Sequence, residues 1–238
     1  MPMRAQDSDL IRSLPLFRDM SGALFEELIH AGYLQRFPAH VVLIKEGELP
    51  DFLHVTVEGA VELFATYEGA ETTIEILRPI TTFILAAVIQ DDVYLKSART
   101  LMPARVLMIP APAVRSVFGR DANFARAVVS ELALRYRAVV RELKNQKLRT
   151  GLERLANWIL RSDMENGGAG RIELAYDKRT IAALLGMTPE NLSRNLATLA
   201  ADCITSENRT ITIIDRERLV AIARPNPLID GPPALAAE

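Results

Sequence analysis

Apolar and polar positions change rhythm several times along the chain. From Ser8 to about Leu34 they form short helical clusters, first Leu10, Ile11, Leu14, Leu16 and Phe17, then Leu24, Leu28 and Ile29. From about Phe37 to Ile109 the apolar runs become short and β-branched: Val41–Ile44, Phe52–Val57, Val61–Phe64, Thr73–Leu77 and Arg105–Ile109. Glu46-Gly-Glu-Leu-Pro50, Glu58-Gly59 and Glu68-Gly-Ala70 punctuate them as turns. Short strands at this spacing predict an antiparallel β-barrel or jelly roll, a shape with room for a small ligand. From Asp121 to about Leu148 proline and glycine are absent, and Phe124, Val128, Leu132, Val139 and Leu143 recur at helical steps. Arg135, Arg137, Arg141, Glu142, Lys144 and Lys147 surround that stripe. It suits a seam between two copies of the chain; the bland alternative is an amphipathic helix packed on its own domain.

The remaining third reads as a helix over Leu152–Met164, a flexible turn over Glu165–Gly170, a short strand over Arg171–Leu174, and then Tyr176–Leu199. In that last segment Ile181, Leu184 and Leu185 give a buried face, and Gly186 permits the left-handed backbone that ends a helix. Thr188 is a good N-cap, Pro189 occupies the first helical position, and Leu192, Leu196 and Leu199 form the next stripe. Two helices joined by so short a glycine-containing turn predict a helix-turn-helix. Pro189, Glu190, Ser193 and Arg194 then occupy the outer N-terminal face, where a recognition helix meets base edges. Lys178, Arg179 and Thr188, with Arg209 in a predicted β-wing formed around Ser206–Ile214, complete the expected DNA surface. The bland alternatives are a structural helical hairpin and an intrahelical Glu190–Arg194 pair on a solvated face. The proline-rich tail from Arg224 reads as disordered.

Composition narrows these readings. The chain has 238 residues, 49% hydrophobic and 24% charged, with a net charge of −2. It is no general polycation, so DNA binding must rest on a local patch and on base contacts. A single cysteine, Cys203, excludes an intrachain disulfide and an all-cysteine metal cluster. No apolar run reaches membrane-spanning length and the Met1–Ser8 start is polar, so a soluble cytoplasmic protein without membrane partners is expected. No nucleophile elbow, phosphate-binding lysine loop or histidine–metal motif is present, which argues against an enzyme.

The order of elements, with Leu16-Phe-Arg-Asp-Met20, Ile44-Lys-Glu-Gly-Glu48, Val57-Glu-Gly-Ala-Val61, Ser97-Ala98 and Glu153-Arg-Leu-Ala156, resembles the Crp/Fnr superfamily of transcriptional regulators from Leu14 to about Ala223. The resemblance implies an α+β chain. A cyclic-nucleotide-binding-like β-barrel for effector sensing would cover residues 1–120, a dimerisation helix 121–149, a winged helix-turn-helix 150–223 and a disordered tail 224–238. It also implies a homodimer on double-stranded DNA, with RNA polymerase as partner. Glu190, Ser193 and Arg194 match the Glu-x-x-Ser-Arg of members resembling the fumarate–nitrate regulator, which implies a TTGAT-type half-site. Chemically, Arg194 can donate twice to guanine and Glu190 can accept from cytosine. Pro189 stands where the cyclic-AMP subgroup has arginine.

For the effector, the same resemblance places a pocket at Phe83, Ile84, Leu85, Lys96 and Ser97. Ile84 and Leu85 replace the Gly-Glu pair that nucleotide binders use, and Lys96 replaces their arginine, so cyclic AMP is disfavoured. The absence of an N-terminal cysteine cluster excludes the iron–sulfur mechanism. The apolar Phe83–Ile89 stretch looks most like the nitrogen-oxide-responsive branch, so the effector is expected to be heme with a gas ligand or an apolar organic molecule. Candidate heme ligands are His30, His40, His54 and Pro2. Other open readings are a cyclic-nucleotide-dependent regulator, an effector-independent one, and a winged module used for protein contacts.

Overall fold

A computed structural model describes residues 5–231. Helices α1 (Ala5–Arg12), α2 (Pro15–Arg18) and α3 (Gly22–Ala31) open the chain. Strands β1 (Tyr33–Phe37), β2 (Val42–Ile44), β3 (Phe52–Glu58), β4 (Val61–Tyr67), β5 (Ala70–Leu77) and β6 (Thr81–Phe83) follow, then α4 (Leu85–Gln90), β7 (Ser97–Thr100) and β8 (Ala104–Pro110). Next come α5 (Ala111–Arg120), α6 (Ala122–Leu148), α7 (Gly151–Glu165), β9 (Arg171–Glu173), α8 (Lys178–Leu184) and α9 (Pro189–Ala200). Strands β10 (Ile204–Glu207) and β11 (Thr210–Ile213), with helices α10 (Arg216–Ala223) and α11 (Pro227–Asp230), complete it.

The chain divides into two compact units, residues 1–133 and 134–238, with α6 running through the division. In the first, two antiparallel four-stranded sheets are ordered β1-β8-β3-β6 and β2-β7-β4-β5. Strand β3 faces two ways. Leu53, Val55 and Val57 join the core made with α1–α5, which includes Phe17, Phe25, Val114 and Val117. His54 and Thr56 point to the opposite face and are fully buried as well. Strands β1, β6 and β7 and helices α4 and α5 extend the sequence reading. Tyr33–Phe37 pairs with β8 from Tyr33↔Met108 to Phe37↔Ala104, a long-range partnership that local periodicity does not encode.

The long helix is N-capped by Asp121, whose Oδ1 accepts the Asn123 and Phe124 N–H groups at 2.9 and 3.0 Å while Oδ2 accepts that of Ser21 at 2.8 Å. These donors hold the Asp121 carboxylate below its usual pKa, that of Phe124 foremost. The expected dimer stripe needs correcting at its start. Phe124 is 0% exposed and stacks on Phe17 with ring centroids 6.0 Å apart, and Val128 is buried in the same core. Leu132 packs partly against it. Outward apolar positions of α6 include Val129, Tyr136, Val139, Val140, Leu143 and Leu148, with Tyr136 70% and Val139 65% exposed.

In the second unit, α7 starts with a capping box. The Thr150 hydroxyl accepts the Glu153 N–H and the Glu153 carboxylate accepts the Thr150 N–H. One core joins Leu155, Ile159, Ile181, Leu192, Leu196, Leu199, Ile211 and Leu219 beside the three-stranded sheet β10-β11-β9. Buried Asp163 ties Gly170 N–H, at 2.7 Å, and Arg216 to the end of α7. The tail expected to be disordered from Arg224 is folded through Gly231. Asn226 caps α11, and Asp230 pairs with Arg149. Residues 232–238 lie outside the described residues.

Replacing Phe124 with alanine removes a ring stacked in a filled core, and we expect a loss of about 3–5 kcal/mol, measured as a shift in urea-unfolding midpoint.

Candidate functional site

The helix-turn-helix is set by local chemistry. Asp177 Oδ1 accepts the Thr180 N–H at 2.7 Å and starts α8. The α8 helix ends at Gly186, which has φ of 61°, and a side chain there would collide with the Gln146 amide. Thr188 Oγ1 accepts the Asn191 N–H at 3.2 Å, and Pro189 follows at the first helical position of α9. Leu192, Leu196 and Leu199 turn inward, which leaves Pro189, Glu190, Asn191, Ser193 and Arg194 exposed on the N-terminal turns of α9. The turn itself is held from α7. Arg154 donates through Nε to the Leu185 carbonyl at 2.9 Å and through Nη2 to that of Gly186 at 3.2 Å.

Charge on this face is organised. The Glu190 carboxylate sits below its usual pKa because its own backbone N–H and the Thr188 hydroxyl donate to it, with the Arg194 charge adding to the effect. Arg194 Nη2 donates to Asn191 Oδ1 at 2.6 Å. Asn191 is a residue that sequence reasoning passed over; its place one helical turn before Arg194 was the available signal. Lys178 and Arg179 are exposed at the start of α8. Arg209 is exposed in the wing and is held there by its own backbone partner. Its Nε and Nη2 both donate to the Leu174 carbonyl, at 3.1 and 2.7 Å, and hold the wing to the strand before α8.

The five residues expected to form one effector pocket are dispersed. Phe83 and Ile84 belong to the apolar core between the sheets with Leu63, Leu77, Ala98 and Val106. Ile84 is left-handed, with φ of 65°, and Leu85 joins the core shared with the helices instead. Lys96 Nζ lies 3.8 Å from Glu75 Oε2. Ser97 points away from the Ala98 side of β7. Its Oγ accepts the Glu46 N–H at 3.0 Å, in an open cavity of about 490 Å³ lined also by Lys45 and Phe64. The phosphate-cradling arrangement of a nucleotide pocket is therefore not assembled by these side chains.

The polar feature inside the sensor core is His54. It is 1% exposed, stacks on Phe83 with centroids 5.0 Å apart, and meets Phe52 edge-on. Its Nδ1 and the buried Thr56 Oγ1, two positions along the same strand face, have no hydrogen-bond partner among the described residues. Burial holds His54 neutral and lowers its pKa to about 4, against a smaller raising effect of a hydrogen bond with the Phe52 backbone. His30 is exposed and bonds the Glu26 carbonyl at 2.7 Å, and His40 lies in a left-handed turn. No group of three or more His, Cys, Asp or Glu side chains placed to hold a metal ion occurs among the described residues. Pro2 lies outside the described residues. No helix among the described residues is long and apolar enough to cross a membrane.

A β-roll sensor unit followed by a long helix and a winged helix-turn-helix defines a DNA-binding regulator. Comparison with known proteins agrees. The Crp-like helix-turn-helix domain matches residues 153–222, and the cyclic nucleotide-binding domain matches residues 34–121. Similar solved structures include a candidate cAMP-binding regulatory protein from Silicibacter pomeroyi DSS-3, 25% identical over 93% of this chain and 100% of that one, with TM-score 0.60. FixK2 from Bradyrhizobium japonicum is 22% identical over 80% and 96% of the two chains, with TM-score 0.70. A candidate transcriptional regulator of the Crp/Fnr family from Eubacterium rectale ATCC 33656 is 18% identical over 89% and 99%, with TM-score 0.73. No curated protein matches the sequence. The chain belongs to the Crp/Fnr superfamily of transcriptional regulators.

His54 gives a pH dependence. The unfolded chain binds a proton at its histidines near pH 6.5, whereas the folded core accepts one at His54 only near pH 4. Stability is unaffected by this group above pH 6.5 and falls as pH drops from 6.5 to 4, by about 3 kcal/mol. Urea unfolding at pH 7 and pH 4.5 should show a larger acid loss for the native chain than for His54→Leu.

Proposed function

We propose that the chain acts as a homodimer that reads a TTGAT-type inverted repeat and is governed by a small uncharged effector in the sensor unit. The carrying observation is the exposed run Glu190, Ser193 and Arg194 on the N-terminal turns of α9, preceded by a capped, proline-started turn. Arg194 donates to the guanine of the half-site and Glu190 accepts from the paired cytosine. Ser193 bonds a base edge or phosphate, and Lys178 and Arg179 supply phosphate contacts. RNA polymerase is the downstream partner in this reading.

The dimer reading is supported by α6. Val129, Leu132, Tyr136, Val139 and Leu143 alternate by three and four positions, the spacing of a coiled-coil seam, and all but Leu132 are exposed. Two-fold pairing through that stripe presents two α9 helices to two half-sites. Phe124 and Val128 have no part in it, because they lie in the core of their own protomer.

The effector reading rests on chemistry. The Silicibacter pomeroyi relative is described as a candidate cAMP binder. Here Leu85 stands in place of a ribose-binding carboxylate, and Lys96 is paired with Glu75. An iron–sulfur centre is ruled out by the single cysteine. The apolar core beside Phe83, with His54 Nδ1 and Thr56 Oγ1 as its hydrogen-bonding groups, suits an uncharged molecule that carries a polar end.

Three measurements test the reading. Fluorescence anisotropy with a TTGAT-N4-ATCAA duplex should give specific binding, and Arg194→Ala should cost about 1–3 kcal/mol, concentrated at the guanine step. Equal affinity for a scrambled duplex would remove the assignment. Tyr136→Glu should shift sedimentation from dimer to monomer without lowering the thermal midpoint. Millimolar cyclic AMP should leave both DNA affinity and thermal midpoint unchanged; a rise in either would restore the cyclic-nucleotide reading.

A further inference from the structure

Residues 224–231 follow the region matched by the helix-turn-helix family and fold back onto the junction between α6 and α7. Asn226 Oδ1 caps α11 by accepting the Leu228 N–H at 2.9 Å. Asp230 then meets Arg149, the first of the two residues between α6 and α7, in a two-pronged pair, with Nη1 to Oδ1 at 2.5 Å and Nη2 to Oδ2. Only 6% of the Arg149 side chain and 16% of that of Asp230 is exposed. Asp230 Oδ2 also accepts the Asn226 N–H at 2.7 Å. Burial alone would raise the Asp230 pKa, yet it lies below its usual value because Arg149 and the Asn226 N–H outweigh that effect. Arg149 Nη2 donates to the Arg224 carbonyl at 3.4 Å, and Arg224 lies 3.7 Å from Glu153 of the α7 capping box.

The contacts continue inward. The Arg149 carbonyl accepts from Arg154 Nη1 at 2.8 Å, and the same Arg154 guanidinium holds the Leu185 and Gly186 carbonyls of the turn before α9. Asp230 thus grips the Arg149 side chain while Arg154 bonds the Arg149 backbone carbonyl, and residue 149 itself joins the two contacts. A guanidinium held on two prongs has little rotational freedom, so the pair restrains the backbone at Arg149 and with it the carbonyl that Arg154 grips.

We propose that Asp230 and Arg149 are positioning residues for DNA recognition: the C-terminal segment latches the α6–α7 junction and, through Arg154, sets the turn that aims α9. A solvated surface pair would have no such reach. This one is buried, bidentate and continuous with the turn. The proposal builds on the DNA-binding reading, but its first readout needs no DNA.

Hydrogen–deuterium exchange on the full chain tests it. Asp230→Asn should speed exchange at residues 149–154 and 185–188 while leaving β9–β11 unchanged, and should weaken binding to the TTGAT-N4-ATCAA duplex about tenfold. The reversed pair Arg149→Asp with Asp230→Arg should recover at least part of both losses. The charge-free pair Arg149→Met with Asp230→Leu guards against simple misfolding from a buried lone charge. It should keep the thermal midpoint and still exchange faster at the turn. Native-like exchange at 149–154 and 185–188 in Asp230→Asn overturns the latch. So does loosening spread evenly over the whole unit, which would mark a merely structural pair. Failure of the native chain to bind the duplex removes the DNA-site assignment and leaves the exchange result to decide the latch.

Discussion

Strand β3 has no solvent face, and the sensor unit is organised around that fact. Its odd positions, Leu53, Val55 and Val57, belong to the core shared with the helices, while His54 and Thr56 face the apolar core between the sheets. A strand enclosed on both sides cannot slip by one residue without exchanging its two faces, so its register fixes both cores together. Strand β8 follows it from Phe52↔Pro110 to Thr56↔Val106, and β6 from His54↔Phe83 to Thr56↔Thr81. The polar pair is thereby committed to an apolar interior. Burying such groups is costly unless something satisfies them.

The DNA-binding unit solves a different problem. Its outer face must be exposed and polar, so order has to come from beneath and from the ends. The leucine stripe of α9 anchors the helix from below, Asp177 and Thr188 fix the two helix starts, and Arg154 holds the intervening carbonyls. The leucine stripe lies beneath the exposed Glu190, Ser193 and Arg194, whereas Thr188 is itself exposed beside them and serves both as cap and as partner of Glu190.

What was legible in the sequence follows from range. The helix-turn-helix could be read residue by residue because its caps, glycine, proline and leucine stripe all act within a few positions. The β-roll could be read as a class, but β1, β6 and β7 owe their form to partners far along the chain. The five residues expected around the effector are spread apart for a geometric reason. Ser97 and Ala98 are neighbours in sequence but face opposite sides of β7, and the left-handed Ile84 sends Leu85 into a different core from Phe83. Helical spacing marked Phe124 and Val128 as apolar without saying what they touch. It also passed over Tyr136, an aromatic hydroxyl that apolar counting leaves out. The proline-rich tail looked unstructured by composition, yet its order depends on Arg149, 81 positions earlier in the chain.

Helix α6 is one continuous element with two separate obligations. Its first turns belong to the interior through Phe124 and Val128, whereas Tyr136, Val139 and Leu143 lie outside every core of their own chain. Sequence drift can act on the two ends independently. Changes near the start are screened by whether the protomer folds, and, in the proposed dimer, changes farther along by whom it associates with. A gene duplication could thus alter the outward stripe, and so separate two paralogues into non-mixing assemblies, with the sensor core left intact.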